Sequence, residues 1–176
     1  MWKRASRGIL LALVLVALLP LSPALAQSTI VLVNPPSQSV TLNQTVAVEI
    51  KVDTVTKLYG VDIRLTFDAA KLEAQDANPG VSGVQIEQGS FLNPAQGFLA
   101  QNSADNTTGQ VQYVFALMAP APAVSGTGVL ARITFKAKAT GNALITLNSV
   151  TLSNDQAQPI PATLMNGSIT ILPPGS

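Results

Sequence analysis

The chain of 176 residues contains neither histidine nor cysteine. That double absence removes the commonest general base, the Ser-His and Cys-His nucleophile pairs and the usual ligands of zinc and copper, so neither nucleophilic catalysis nor a transition-metal centre is expected. Disulfides are excluded as well, and stability has to come from a hydrophobic core. Aromatic residues make up only 5% of the chain, and the one tryptophan, Trp2, lies in its first segment. Flat polysaccharides are gripped mainly by exposed aromatic rings, so this composition argues against a sugar-stacking platform. Tyr59, Phe91 and Phe98 are the aromatics that strand alternation does not place inward, and they are the candidates if sugar is bound. Charge is sparse too, at 11% of residues, and the nine acidic side chains are spread about one per strand or turn. That is the pattern of solubilising surface charge, not of the paired carboxylates a glycosidase needs. Asp105-Asn106 and Asn154-Asp155 come nearest to a calcium loop, but each supplies too few carboxylates and reads better as turn chemistry. No catalytic residue, cofactor or metal ligand is therefore assigned.

What is present starts with a secretory signal. Lys3, Arg4 and Arg7 form a basic start, residues 9–19 an apolar run short for a bilayer span, and Ala24-Leu25-Ala26 a small-x-small cleavage site. The exported chain is expected to begin at Gln27, to meet the membrane only through this segment before cleavage, and to work outside the cell. Three of the ten basic residues lie in the signal, which leaves seven against nine acids and a net charge of −2. The basic character of the whole chain thus belongs to the precursor, and no argument for a nucleic-acid partner survives. Residues 27–176 suit one domain, long enough to bury about two-thirds of the surface of the unfolded chain.

The remainder is organised around residues 58–73. Val61, Ile63, Leu65 and Phe67 fall on one parity and Asp62, Arg64 and Thr66 on the other, a strand with one buried and one wet face. Asp68 is placed to cap a single turn through Ala69, Ala70 and Lys71, after which Leu72 points back into the core. Residues 45–52 alternate in the same way, with Val46, Val48, Ile50 and Val52 inward, and residues 129–138 put Val129, Ala131, Ile133 and Phe135 inward. Residues 29–33, 72–76, 84–88, 97–102, 110–118, 143–152 and 164–171 read as further strands, with Pro35-Pro36 closing the first and turn residues between the others. Nine or ten short strands about a dozen residues apart, without a helical pattern, predict an all-β sandwich in a single domain.

The order of motifs resembles that of cohesin domains, the receptor modules of cellulosome-type assemblies, over nearly the whole of residues 27–176. The resemblance rests on Val-x-Val-x-Ile, on Gly-Val-Asp-Ile running to Asp-x-x-x-Leu-Glu, on Gly-Gln-Val-Gln-Tyr-Val-Phe-Ala, on Gly-Thr-Gly-Val-Leu-Ala-Arg-Ile-Thr-Phe-Lys, and on the closing Asn-Gly-Ser-Ile-Thr-Ile. It implies a nine-stranded jelly-roll β-sandwich, related in architecture to certain cellulose-binding modules. It also implies a non-catalytic partner-binding role, with a dockerin-bearing protein as partner in an assembly for polysaccharide degradation; a carbohydrate-binding module or a structural subunit is the alternative. By the same resemblance the 60–67 and 110–118 strands lie side by side. Asp62, Arg64, Thr66, Gln112, Val114, Ala116 and Met118 then share an outer, partner-binding face. Asp62 matches an outward Asp that accepts hydrogen bonds from the dockerin helix. The chain departs from the pattern at Ala69, where many members carry Pro, at Gly60, where type I members often carry Asn, and at Leu117, where some carry Glu.

Overall fold

The computed structural model describes residues 28–175. The signal-peptide reading of residues 1–26, Trp2 included, lies outside them. Among the described residues the only helix is a 3-10 turn, Pro94–Gln96, so no helix there is long and apolar enough to cross a membrane. Extended segments follow one another as β1 (Thr29–Asn34), β2 (Ser37–Thr41), β3 (Thr45–Leu58), β4 (Gly60–Phe67), β5 (Leu72–Ala74), β6 (Glu87–Gln88) and β7 (Gly97–Asp105). After these come β8 (Gln110–Leu117), β9 (Val124–Ala137), β10 (Gly141–Ser153), β11 (Pro159–Ile160), β12 (Ala162–Met165) and β13 (Gly167–Leu172). Nine of them have five or more residues, and the other four have two to four.

They form two sheets. Sheet I runs β12-β1-β3-β9-β5 with β6 also on β9, and sheet II runs β2-β13-β10-β4-β8-β7 with β11 also on β10. The chain changes sheet at β1 to β2, β3 to β4, β4 to β5, β8 to β9, β9 to β10 and β12 to β13, which gives the jelly-roll sandwich the motif order implied. The alternation is realised where it was cleanest. Val48, Ile50 and Val52 from β3, Val61, Ile63, Leu65 and Phe67 from β4, and Ile133 and Phe135 from β9 are buried in one core between the sheets. Phe67 and Phe135 meet across it with ring centroids 4.9 Å apart, tilted by 55°, within the range of favourable aromatic pairs. Asp68 makes the expected turn. Its Oδ1 accepts from the Ala70 N-H at 3.1 Å, its Oδ2 pairs with Lys71 Nζ, and the Leu72 N-H closes on its carbonyl at 2.8 Å. Leu72 is then fully buried, worth about 1.5–3 kcal/mol of apolar transfer.

Other expectations are corrected. Pro35-Pro36 does not end the edge of the fold: the chain bends there and continues as β2, in the other sheet, pairing in parallel with β13. Residues 164–171 are not one strand, because β12 pairs with β1 in sheet I and β13 with β10 and β2 in sheet II. The break is fixed at Gly167, where a Cβ would come within 2.5 Å of Val33 Cγ1, and by Asn166, whose Oδ1 accepts from the Leu147 N-H at 2.8 Å. Val129 is half-buried, not inward. Ile50 faces Ala131 and Lys51 faces Val129, so Leu130 is the extra residue of a bulge and takes the buried place beside Ala131. The 72–76 and 84–88 strands shrink to three and two residues.

Candidate binding surface

Two outer faces are available to a partner, and charge distinguishes them. The strands of sheet I carry Glu49, Lys51, Asp53, Lys57, Glu73, Glu87, Arg132 and Lys136, and the signs interleave: Arg132 lies between Glu49 and Glu87 in register and reaches Glu87 Oε2 at 4.0 Å. This is an ordinary solvated face. The strands of sheet II carry only Asp62, Arg64 and Asp105. Its outer face is built of hydroxyls, amides and small apolar groups.

Three rows cross that face. Antiparallel pairing of β4 with β8 sets Gly60 against Ala116, Asp62 against Val114 and Arg64 against Gln112. Further out, β7 adds Phe98, Gln101 and Ser103 to the same rows, and β10 adds Ser153, Thr151 and Ser149. The rows therefore read Phe98-Ala116-Gly60-Ser153, Gln101-Val114-Asp62-Thr151 and Ser103-Gln112-Arg64-Ser149. Bulges at Ala100 in β7 and Asn148 in β10 bend the flanking strands. Between them lies a depression of about 370 Å³ lined by Arg64, Thr66, Ser103, Asp105, Gln110 and Asn148.

Six of the seven residues named from the sequence are placed together by this pairing: Asp62, Arg64, Thr66, Gln112, Val114 and Ala116. Met118 follows the end of β8 and lies apart, 54% exposed, beside Gln96 and Pro120. Asp62 and Arg64 are not independent charges. The guanidinium Nε and Nη2 each lie 3.4 Å from one Asp62 carboxylate oxygen, with the two side chains 34% and 58% exposed. At that exposure the pair contributes at most about 1 kcal/mol, so a partner can reorganise it at little cost. The first row has almost no relief: a Cβ at Gly60 would meet Ser153 Oγ at 2.7 Å, and Ala116 is the next atom beside it. Beneath the face the core is dry. Tyr113, paired with Ile63, is 2% exposed, and burial pushes its phenol up to about 12, so it stays neutral.

Sequence reasoning missed the contributions of β7 and β10. Gln101, Ser103, Thr146, Ser149 and Thr151 carry no signal beyond outward parity, and a bulge in each strand obscures even that. Of the aromatic candidates for sugar, Tyr59 and Phe91 are half-buried against the core, and Phe91 lies over Gly128, where a Cβ would approach its Cδ2 to 2.2 Å. Phe98 alone is exposed, at 60%. The turn reading of 105–109 also holds: Asp105 Oδ1 accepts from the N-H groups of Thr107 and Thr108, which lowers its pKa, and the Asn106 side chain bonds both N-H and C=O of Ala74.

The comparisons with known proteins agree with this architecture. Solved structures that superpose on the chain include a non-cellulosomal cohesin from the hyperthermophilic archaeon Archaeoglobus fulgidus, at 16% identity over 83% of this chain and 92% of that one with a TM-score of 0.64. A type II cohesin domain from the cellulosome of Acetivibrio cellulolyticus matches at 16% identity over 81% and 95%, TM-score 0.69. A chain of a type I cohesin–dockerin complex from Clostridium thermocellum matches at 19% identity over 83% and 94%, TM-score 0.66. Among curated proteins, no sequence matches the chain. At such identities the structures establish the fold, and the family follows from the sequence profile of the cohesin domain, which matches residues 31–171. The chain belongs to the cohesin domain family.

Proposed function

We propose that the chain is a non-catalytic recognition module that captures a dockerin domain through the outer face of sheet II. What carries this reading is the register of β4 on β8, which sets Asp62 directly against Val114 in a face otherwise built of hydroxyl, amide and small side chains. An acceptor carboxylate beside a half-buried apolar residue, ringed by short polar groups, is the composition of a protein contact: a dry centre, a hydrogen-bonding rim and few charges to desolvate. The flat Gly60-Ala116 floor lets a helix backbone come close. Dockerin is the partner favoured because cohesin chains of related fold are held in complexes with dockerins from Clostridium thermocellum and Acetivibrio cellulolyticus. Asp62 is proposed to accept hydrogen bonds from hydroxyl or amide donors of the dockerin helix.

The module is further proposed to act after export, starting at Gln27, in the company of polysaccharide-degrading enzymes. Support comes from the basic, apolar and small-x-small order of residues 1–26. A carbohydrate-binding role is disfavoured by the burial of Tyr59 and Phe91, which leaves Phe98 without a second ring to complete a platform. Capture from the secreted proteins of the source organism, followed by titration of purified type I and type II dockerins, tests the reading. A dockerin should be recovered and should bind one to one. Failure of every dockerin at about 100 μM would sink it, since even transient recognition contacts are tighter than that.

A further inference from the structure

The edge of a sheet displays unpaired backbone N-H and C=O groups, and proteins ordinarily blunt it by brevity, charge, proline or a cover. Three edges of this sandwich are blunted in that way. β2 has five residues and follows Pro35-Pro36, β5 has three, and β12 has four between Pro161 and Asn166. The edge at β7 is nine residues long and covered along half its length only. Ala104 donates its N-H to Val84 O at 2.8 Å, and the Asn102 amide accepts from Ile86 N-H at 2.9 Å and donates to Ile86 O at 2.8 Å. Beyond Asn102 the covering segment leaves for sheet I as β6, on β9. Between it and β7 opens a groove of about 500 Å³ with Leu99 and Asn102 on one side and Ile86 and Glu87 on the other. Along this open half Phe98 and Leu99 are 60% and 37% exposed, Ala100 and Gln101 are exposed with them, and residues 97–104 carry no charge.

We propose that the open half of β7 pairs, antiparallel, with the same strand of a second copy, joining two copies of sheet II into one. The occupant is a second copy because the strand is charge-free over its whole open length and so lies against itself with no like charges opposed. A two-fold axis also brings identical edges together antiparallel without further adjustment. An axis at Leu99 places Phe98 of each copy opposite Ala100 of the other and both Leu99 side chains at the centre. About five residues a side bury roughly 800 Å² in total, below the standard interface size, so the association is weak and reversible. Its consequence is two recognition faces in one continuous sheet.

Sedimentation equilibrium of the purified protein alone, from about 10 μM to about 1 mM, should show the average mass rising from one chain toward two. Leu99→Lys, which opposes like charges at the axis, should remove the rise while leaving the thermal melt in place, since the side chain is partly exposed. The absence of cysteine makes a single introduced thiol a clean probe. Leu99→Cys should cross-link on mild oxidation at least about tenfold faster than Ser39→Cys on the opposite edge, because only the former brings two thiols within disulfide reach. The proposal is overturned if the mass stays at one chain at the highest concentration, an extended segment of another protein then being the better occupant. It is equally overturned if Leu99→Lys associates as the wild type does, or if the two cysteine variants cross-link at the same rate.

Discussion

Val114→Asp separates the face from the fold. Val114 is half-buried on β8 with Asp62 directly opposite on β4 and Gln101 opposite on β7. Side chains so paired have Cβ atoms about 4.5–5.5 Å apart. Two carboxylates at roughly 5.5 Å in water repel by about 0.8 kcal/mol, and Arg64, already on Asp62 at 3.4 Å, offsets part of it. The free domain should therefore lose less than about 1 kcal/mol, a fall in Tm of about 2–4 °C for a chain of this size. In a closed interface the same pair sits at an effective dielectric nearer 20, where the repulsion is about 3 kcal/mol before the new carboxylate is desolvated. Binding should weaken by at least about 150-fold, a loss far larger than the effect on stability. Calorimetric titration of a dockerin into both proteins measures the first quantity, and thermal melts of the free proteins the second. Affinity within about threefold of the wild type would refute the assignment of the face, and so would a loss of binding accompanied by a lost cooperative transition.

Asp62→Ala should cost about 1–3 kcal/mol of the same binding through its missing acceptor, with the melt hardly moved because its partner Arg64 is exposed. Gly97→Ala should lower Tm by about 5 °C or more, since the added Cβ would fall 2.2 Å from Phe115 Cζ and 2.5 Å from the Ala116 carbonyl oxygen; a melt within about 2 °C of wild type would show that the Phe115 ring yields freely. The hydrogen bond from Lys71 holds the Asp68 carboxyl below its ordinary value, so its stabilisation is complete above about pH 4 and is lost as pH falls through the lower, folded-state pKa. Asp68→Asn should accordingly melt at lower temperature than wild type at neutral pH and converge with it in acid, and a constant difference across the titration would contradict the linkage. Incubation with cellulose, xylan or chitin should leave the protein in the supernatant, whereas retention abolished by Phe98→Ala would favour the carbohydrate-binding reading.

Alternation made the centre of the sandwich legible. Val48 to Val52, Val61 to Phe67 and Ile133 to Phe135 each have one apolar parity, and a half-buried strand is the one local structure that serves such a pattern. The register of those strands was not legible from parity. A bulge places two residues against one, so Val129 exchanges places with Leu130 without a mark in the sequence, and Asn148 does the same to the wet face of β10. β2 escaped because it offers one buried apolar side chain, Val40, and follows two prolines that read as an end. The change of sheet at Asn166-Gly167 depends on a close approach to Val33, a contact more than 130 residues away in the chain. As to the face, Asp62, Arg64, Thr66, Gln112, Val114 and Ala116 were readable as outward. Bringing β4 and β8 together required the family resemblance, because outward polar residues do not name their neighbour.

The sheet-changing bends at Pro35-Pro36 and at Asn166-Gly167 also decide how the domain meets a pulling force. They make two parallel pairs of the terminal strands, β1 on β12 through four register positions and β2 on β13 through five. Tension applied outward at Thr29 and at Leu172 runs along these strands, not across them. Their hydrogen bonds lie transverse to the load, so they are sheared together and cannot be peeled off one at a time. Rupture under force is set by the barrier to unfolding and not by equilibrium stability, and this topology raises that barrier at the points where load enters and leaves. A partner held on the outer face of sheet II would hang from a link whose ends are its firmest part.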